Sequence, residues 1–214
     1  MCGIAGYIGN STLSDGIVDK ILYSMNNRGP DNKGYKLFRK GETNVSLFHS
    51  RLAIIDLDER SNQPYKFQKY HVVFNGELYN YVEIRKTLED KGYIFETGSD
   101  TEVLLKSYDF YGVDCLEKFE GMWSFVIYDE VENTFFMSRD RFGEKPFYYF
   151  LDKKNFVFGS EIKFIKNIIQ KELPINEDYL KRFLVLGHKA LYKNSECSFY
   201  KGIQELQPGE LAFF

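Results

Sequence analysis

Short runs of β-branched and aromatic residues recur along the chain, each bounded by Gly, Asn, Asp or Pro, and this pattern predicts β-strands. Helical spacing occurs between some of these runs, but without the regular strand–helix alternation of a parallel sheet. We therefore predict an α+β layered domain, and neither GxGxxG nor GxxxxGK(S/T) is present to indicate a nucleotide-binding loop. The predicted strands are Cys2–Ile8, Val45–Phe48, Leu52–Ile55, His71–Phe74, Trp123–Tyr128, Thr134–Met137, Phe147–Phe150 and Asn155–Phe158.

Helical patterns are fewer than strand patterns. Each has apolar residues three and four positions apart and a small polar residue suited to capping near its start. Ser99-Asp100-Thr101-Glu102 has the form of a capping box. The predicted helices begin near Ser14, Tyr81, Ser99 and Asn176, and the first three end near Arg28, Gly92 and Gly112.

Composition excludes several classes of protein. The chain has 214 residues, of which 43% are apolar and 28% charged, as expected for one domain with a real hydrophobic core. Its 28 basic and 31 acidic side chains give a net charge of −3, so we expect neither a nucleic-acid nor a membrane partner. The N-terminus lacks the features of a signal peptide, and no apolar run is long enough to span a bilayer, so we expect a cytoplasmic protein.

The cysteines and histidines indicate neither a disulfide framework nor a metal site. Three scattered cysteines are interpreted as reduced thiols, and the three histidines lie far apart without other ligands at metal-binding spacing. The cysteines are Cys2, Cys115 and Cys197, and the histidines are His49, His71 and His188.

Cys2 is the residue with the sharpest chemical implication. It follows the initiator Met and precedes Gly3, and a small second residue permits removal of the Met. The mature chain would then begin with a cysteine whose own α-amine, with an ordinary pKa of roughly 7.7–8.0, can accept the thiol proton. The alternative is a small apolar residue in a buried first strand.

Phe74-Asn75-Gly76-Glu77 ends a predicted strand and allows two interpretations. An Asn-Gly pair most often forms a hairpin turn. The same two residues can also form an oxyanion hole, since an Asn side-chain N–H and a Gly backbone N–H can point at one developing oxyanion. Glu77 would add a carboxylate beside that position.

Arg51 and Asp100 are candidate ligands for a small charged substrate. Arg51 stands at the start of the predicted strand Leu52–Ile55, and an arginine fork matches the two oxygens of a carboxylate. Asp100 lies in the predicted capping box. The alternatives are a surface arginine at a strand end and an aspartate that simply favours a helix N-terminus.

Taken together and in their order along the chain, these motifs favour the functional interpretations over the structural alternatives. After Cys2 come RGPD (28–31), SRLAIID (50–56), FNGELYNY (74–81), GSDTE (98–102), EGMWSFVIYD (120–129), RDRFGEKPFYY (139–149) and FGSEIK (158–163). This set, which covers essentially the whole chain, resembles the glutaminase domain of class II glutamine amidotransferases. It is most similar to the N-terminal half of glutamine-dependent asparagine synthetases and their relatives.

The resemblance implies a role for each candidate residue. In that family the mature N-terminal Cys attacks the side-chain amide of glutamine, so Cys2 would be the nucleophile and its free α-amine the base. Asn75 and Gly76 would form the oxyanion hole, and Arg28 would brace the loop beside the nucleophile, with a purely structural loop role as the equal alternative. The implied glutamine-binding residues are Arg51 for the α-carboxylate, Glu77 and Asp100 for the α-amine, and Leu52, Ile54 and Ile55 as the pocket lining. RDRFGEKPFYY marks the family, and we assign it no chemical role.

The resemblance also implies a fold, a domain organisation and partners. The family fold is a four-layer αββα sandwich of two antiparallel sheets, the N-terminal nucleophile hydrolase architecture. Residues 2–214 would form the glutaminase domain, and 204–214 would begin the connection to a synthetase domain. That second domain would use ATP and Mg, whereas no cofactor or metal is expected in this one. The expected partners are L-glutamine and a synthetase domain in cis or in trans, and a homodimer is compatible with the sequence.

Several alternatives stay open at this stage. The ammonia acceptor could be aspartate, a sugar acid or another carboxylate, because acceptor specificity belongs to the second domain. Glucosamine-phosphate synthase and phosphoribosyl-amine types share Cys2-Gly3-Ile4, but SRLAIID and RDRFGEKPFYY fit the asparagine synthetase type better. A third hypothesis is a non-catalytic module that binds glutamine or a partner. The apolar end Ala212-Phe213-Phe214 favours a truncated over a free-standing protein, and a retained Met1 would predict an inactive precursor.

Overall fold

The computed structural model describes residues 1–187 and 198–214, so the interpretations of His188 and Cys197 concern positions outside the described residues. Within these ranges two antiparallel sheets carry most of the chain. The strands are β1 (Gly3–Gly9), β2 (Asn32–Lys40), β3 (Thr43–Arg51), β4 (Tyr65–Phe67), β5 (Tyr70–Leu78), β6 (Gly121–Asp129), β7 (Thr134–Arg139), β8 (Tyr148–Leu151), β9 (Asn155–Gly159), β10 (Ile203–Glu205) and β11 (Leu211–Phe213).

Helices connect the strands and cover the outer faces of the sheets. They are α1 (Asp15–Met25), α2 (Tyr81–Glu89), α3 (Asp100–Tyr111), α4 (Cys115–Lys118), α5 (Ile162–Ile169) and α6 (Glu177–Leu186), with short 3-10 turns at Glu59–Ser61 and Gly112–Asp114. In residues 1–187 and 198–214, no helix has the length and apolar character that crossing a membrane requires.

The two sheets differ in strand order. The first sheet has the order β10-β8-β9-β1-β3-β2, and the second has the order β11-β7-β6-β5-β4. All their pairings are antiparallel. A hairpin joins β6 and β7, whereas long segments of chain separate β1 from both of its partners, β3 and β9. The N-terminal strand is therefore central in its sheet.

Apolar side chains form three layers that define the architecture. Ile4 and Val126 belong to the layer between the two sheets. Phe125, on the opposite face of β6, packs with residues of α2 and α3. Ile21 of α1 packs with Phe48 and with residues of α5 on the outside of the first sheet. The arrangement is helix, sheet, sheet, helix, and it confirms the predicted α+β sandwich.

Strand β1 is buried along its whole length because both of its faces are covered. Ile4 and Ile8 face the second sheet, whereas Ala5 and Tyr7 face α1 and α5. A Cβ at Gly6 would lie 2.3 Å from the ring of Phe158, so only glycine permits this packing. Cys2 stands immediately before this fixed strand.

The predicted strand Leu52–Ile55 is wrong. Arg51 ends β3, and the next residues form a loop beside Cys2. The ladder stops because β1 begins at Gly3, opposite Ser50, and β2 begins at Asn32, opposite Arg51. Beyond that point no neighbouring strand remains for the backbone to pair with.

The turn interpretation of Asn75-Gly76 is also wrong. Both residues lie inside β5, where Asn75 pairs with Ser124 and Gly76 with Trp123 of β6. The strand continues to Leu78 because β6 supplies partners along its full length. A local Asn-Gly signal is overridden here by the pairing of nine consecutive residues.

The sequence patterns missed β2 and α5. Strand β2 is an edge strand whose alternate residues are exposed, and its many polar side chains weaken the strand signal. Helix α5 is rich in β-branched residues, which have low helix propensity, and it is stabilised by packing of Phe164, Ile165 and Ile168 against the first sheet.

The helix start at Ser99 is confirmed, but the capping box is only half formed. Ser99 Oγ accepts from the N–H of Thr101 at 3.1 Å. The carboxylate of Glu102 does not return to Ser99; it accepts from Thr97 N and Oγ1 and pairs with Lys106. Glu102 thus binds the turn before α3, and it does so fully buried. Asn176 caps α6 as predicted, accepting from Tyr179 N at 3.2 Å.

The C-terminal segment belongs to the sandwich. Residues 203–205 form β10 at one edge of the first sheet, and 211–213 form β11 at one edge of the second. Between them, Leu206 is buried in the layer between the sheets. The stretch interpreted from sequence as the beginning of a connection, 204–214, therefore contributes structure to both sheets.

We predict that Lys106→Met lowers the free energy of unfolding by about 3–5 kcal/mol, because it leaves the buried Glu102 carboxylate without its cation. Urea denaturation of the variant and of the parent chain measures this difference. Lys181→Met is the matched control, since Lys181 pairs with Glu177 on an exposed helix face and its loss should cost at most about 0.5 kcal/mol. Equal effects of the two substitutions would contradict the structural role of the buried pair.

Candidate active site

A cavity of about 120 Å³ lies at the edge where β1 begins and the loop after β3 passes β5. It is lined by residues that are distant in sequence and come from both sheets and from α3. Nine of the ten predicted site residues line it, namely Cys2, Arg51, Leu52, Ile54, Ile55, Asn75, Gly76, Glu77 and Asp100. The tenth, Arg28, does not line the cavity, but its side chain donates a hydrogen bond to the backbone carbonyl of Cys2.

The Cys2 thiol is held by the backbone of one loop residue. Sγ accepts from Leu52 N at 3.3 Å and lies 3.6 Å from Leu52 O. Burial raises the pKa of the Cys2 thiol above its ordinary value, an effect that the Leu52 N–H and the positive charge of the N-terminus only partly oppose. The thiol therefore needs a base to become a nucleophile.

No imidazole among the described residues lines the cavity. His49 is the nearest candidate in sequence, but it is fully buried and its Nε2 lies 3.1 Å from Phe74 O. Burial lowers the pKa of His49 to about 3, so this ring stays neutral and is a very weak base. Among the described residues, no histidine is therefore available to pair with the Cys2 thiol.

Asn75 presents an unsatisfied donor to this region. Its side chain is 1% exposed, and its Nδ2 has no hydrogen-bond partner among the described residues. A buried amide N–H without a partner costs roughly 1–3 kcal/mol, so such groups are rare unless they serve a ligand. Asn75 can therefore donate to an oxygen that enters the cavity.

The backbone N–H of Gly76 points to the edge of β5 that is not paired with β6, which we call its open edge. Backbone N–H groups of alternate residues share one edge of a strand, and on this edge Phe74 N donates to Gln63 Oε1 at 2.6 Å. Leu78 N, four residues on, donates to Asp100 Oδ2 at 3.0 Å. Gly76 stands between them, and a Cβ there would lie 2.2 Å from Met122 O, so only glycine fits.

Asp100 and Glu77 place two carboxyl groups at one wall. Asp100 is 5% exposed at the first turn of α3. Burial raises the pKa of Asp100 to about 6; hydrogen bonds, the largest from Leu78 N, oppose this, and the nearby Glu77 carboxylate adds to it. The described residues give Asp100 no cation partner, so this wall is suited to a positively charged group of a ligand.

Arg51 is buried, and its terminal nitrogens are occupied by the loop that follows it. Nη1 donates to Asp58 O at 3.0 Å and to Asn62 Oδ1 at 2.8 Å. Nη2 donates to the carbonyls of Ile55 and Asp56. Arg51 thus shapes the pocket loop, because both of its terminal nitrogens donate to residues of that loop. A ligand carboxylate would have to replace at least one of these acceptors to bind the Arg51 guanidinium.

Arg28 braces the nucleophile from the outer side. Its Nε donates to Cys2 O at 2.8 Å, and its Nη1 pairs with Glu161 Oε1 at 3.3 Å. Arg28 belongs to the motif RGPD and Glu161 to the motif FGSEIK. Through this ion pair, both motifs support the backbone of Cys2. This bond orients the Cys2 backbone and does not touch the thiol.

Sequence reasoning missed several lining residues. Gln63 holds Phe74 N and donates from its Nε2 to Thr101 Oγ1, so it joins β5 to α3. Lys145 also lines the cavity. It belongs to RDRFGEKPFYY, a motif to which the sequence analysis assigned no chemical role, because only the folded chain shows where that segment leads.

Comparison with protein families matches residues 1–214 to the family described as glutamine amidotransferase domain. A putative asparagine synthetase (glutamine-hydrolyzing) 2 of Methanocaldococcus jannaschii is 37% identical over 234 residues, covering 100% of this chain and 44% of that protein. Asparagine synthetase (glutamine-hydrolyzing) 3 of Bacillus subtilis is 35% identical, covering 100% of this chain and 35% of that protein. The chain thus spans less than half the length of these curated relatives.

Two solved structures share the fold. The B. subtilis glutamine phosphoribosylpyrophosphate amidotransferase complexed with ADP and GMP has a TM-score of 0.64 at 22% identity, over 78% of this chain and 43% of that one. A structure of the allosteric regulatory enzyme of purine biosynthesis has a TM-score of 0.65 at 19% identity, over 99% of this chain and 46% of that one. They confirm the predicted sandwich of two antiparallel sheets.

We predict that Asp100→Asn stabilises the fold by about 1–3 kcal/mol at pH 7.5. The unfolded carboxyl ionises near 4 and the folded one at about 6, so the folded state carries the charge penalty in full above pH 6 and escapes it below pH 4. Asn keeps an oxygen that can accept from Leu78 N. Urea denaturation at pH 7.5 and pH 4 tests this, and a gain that does not shrink toward pH 4 would exclude titration of Asp100 as its cause.

Proposed function

The chain belongs to the glutamine amidotransferase domain family, and on this premise we propose that it hydrolyses the side-chain amide of L-glutamine to glutamate and ammonia. One observation carries the proposal most directly. The Cys2 thiol shares a cavity with a buried Asn75 amide that has no hydrogen-bond partner among the described residues. A thiol nucleophile and an unpartnered donor are two groups that acyl transfer needs.

The first step needs removal of Met1, after which the α-amine belongs to Cys2. That amine takes the thiol proton, and the thiolate attacks the side-chain carbonyl carbon of glutamine. Asn75 Nδ2 and Gly76 N–H donate to the oxyanion of the tetrahedral intermediate. The C–N bond then breaks, ammonia leaves with the proton from the amine, and a thioester remains on Cys2. Water hydrolyses that thioester and releases glutamate.

Binding of glutamine is proposed to use the charged walls of the cavity. Asp100 and Glu77 receive the α-ammonium group, since the described ion pairs supply neither with a cation. Arg51 receives the α-carboxylate. For this, at least one N–H of its guanidinium must be released from the loop carbonyls to which it now donates. Leu52, Ile54 and Ile55 form the lining around the side chain. Glutamine binding would thus rearrange the loop after β3.

The destination of the ammonia is a second proposal, because the curated relatives extend well beyond the length of this chain. We propose that ammonia serves ATP-dependent amide synthesis, with aspartate as the first candidate acceptor, in a synthetase domain in cis or in trans. ATP and Mg²⁺ belong with that domain, and the glutaminase step itself uses only groups of this chain. The relatives named as asparagine synthetases support this assignment.

We expect the Met-free chain to release glutamate from glutamine and Cys2→Ala to reduce the rate to background, because the substitution removes the one thiol among the described residues that line the cavity. A coupled glutamate assay measures both. The matched control carries one alanine ahead of Cys2, which keeps the thiol but moves the terminal amine away from it. It should also be inactive. Undiminished turnover by Cys2→Ala would overturn the assignment, and glutamine binding without turnover by the Met-free chain would support the non-catalytic module.

We expect Asn75→Ala to lower kcat by about 10²–10³ with a smaller change in KM, because the oxyanion forms only in the transition state. Steady-state glutamine kinetics on the Met-free chain measure the split. Since Asn75 Nδ2 has no partner among the described residues, the variant should unfold at the same or a higher urea concentration. A loss expressed mainly in KM would indicate that Asn75 binds ground-state glutamine instead.

A further inference from the structure

Lys145 is a buried cation with a weak partner. Its side chain is 6% exposed, and it lines the cavity that holds Cys2. Among the described residues, the hydrogen-bond contact of its Nζ is with the thioether of Met1, at 3.6 Å. Thioether sulfur is a poor acceptor, and a buried ammonium is normally paired with a carboxylate or several carbonyls. This ammonium is paired with neither.

The backbone of Lys145 is held firmly in place. Asp140 Oδ2 accepts from Lys145 N at 3.0 Å, and Arg139 Nε donates to Lys145 O at 2.7 Å. Arg139 also donates to Gly143 O and to Leu206 O, so its guanidinium spans the loop from β7 to the C-terminal segment. The motif RDRFGEKPFYY thus forms a rigid loop that directs one cation at residue 1.

The other charged groups near the N-terminus have partners or positions of their own. Arg28 is engaged by Cys2 O and Glu161, and Arg51 by loop carbonyls. Asp100 accepts from Leu78 N, and Glu77 lines the same wall. Lys145 is therefore the cation whose N–H groups become available when Met1 leaves. The groups that face the terminus are Arg28, Arg51, Glu77, Asp100 and Glu161, besides Lys145 and Cys2.

We propose that Lys145 is a positioning residue for the N-terminal base: in the Met-free chain its ammonium favours the neutral form of the Cys2 α-amine and the thiolate of Cys2. This inference rests on the proposed glutaminase function. The thiol proton still moves from Sγ to the amine and later to the leaving ammonia, so Lys145 keeps its own protons throughout.

Two physical effects support this role. A fixed cation disfavours a second cation beside it, and the terminal amine yields first because its ordinary pKa lies well below that of lysine. In addition, the lone pair of a neutral amine can accept from an ammonium N–H, whereas a protonated amine cannot. Both effects leave more of the amine in the form that can take the thiol proton near pH 7.

The test compares Lys145→Met, which removes the charge and keeps the chain length, with Lys145→Arg, which keeps the charge. The readout is the pH dependence of Cys2 alkylation by iodoacetamide in the Met-free chain, which needs no glutamine. We expect Lys145→Met to move the midpoint upward by about one pH unit and Lys145→Arg to leave it near that of the parent chain. The acidic limb of glutamine hydrolysis should move in parallel. Lys153→Met, at an exposed turn, is the matched control and should change neither.

An unchanged midpoint in folded Lys145→Met would overturn the proposal, as would a shift of the same size in Lys145→Arg. If Lys145→Met does not fold, Lys145→Gln replaces it. If Lys145→Met shifts the alkylation midpoint but the Met-free parent chain releases no glutamate, the result would instead count against the proposed function alone.

Discussion

Strand β1 is hydrogen-bonded to β3 on one side and to β9 on the other, while side chains of the second sheet and of α1 and α5 cover its two faces. This confinement leaves the strand no alternative register, because a shift of one residue would exchange its inward and outward side chains. Cys2 directly precedes β1, so its backbone is anchored by a strand that is buried along its whole length. The loop after β3 and the open edge of β5 are positioned by the same packing.

Within residues 1–187 and 198–214, buried polar atoms without a partner occur both inside and outside the cavity. Among the buried charges away from it, Glu102 accepts from Thr97 and pairs with Lys106, and Arg139 meets several carbonyls and Glu205. In the cavity, Asn75 Nδ2 has no partner among the described residues, Lys145 contacts a thioether, and burial raises the pKa of Asp100. Such groups destabilise an empty site and become favourable when a polar ligand supplies the missing partners.

Local sequence signals worked where local forces decide the structure. The helix starts at Ser99 and Asn176 follow from side chains that satisfy free N–H groups within the same turn. Those signals failed where distant partners decide. Leu52–Ile55 is apolar, yet it forms a loop because no strand flanks β3 beyond Arg51, and Asn75-Gly76 continues a strand because β6 pairs with it. The sequence patterns missed β2 because it is an exposed edge strand with many polar residues, and they missed α5 because it is rich in β-branched residues.

The sequence alone singled out the candidate site residues: a cysteine that Met removal would expose, an Asn-Gly pair, an arginine, two carboxylates and an ordered set of motifs. It also indicated an α+β fold of short strands, because strand and helix signals are local. Only the tertiary structure decided that these groups face one cavity, that Gly76 N–H lies on the open edge of β5, and that Lys145 points at residue 1. The reason is that strand register joins residues far apart in the chain, such as Gly3 with Ser50 and Gly76 with Trp123, and no local pattern encodes a register.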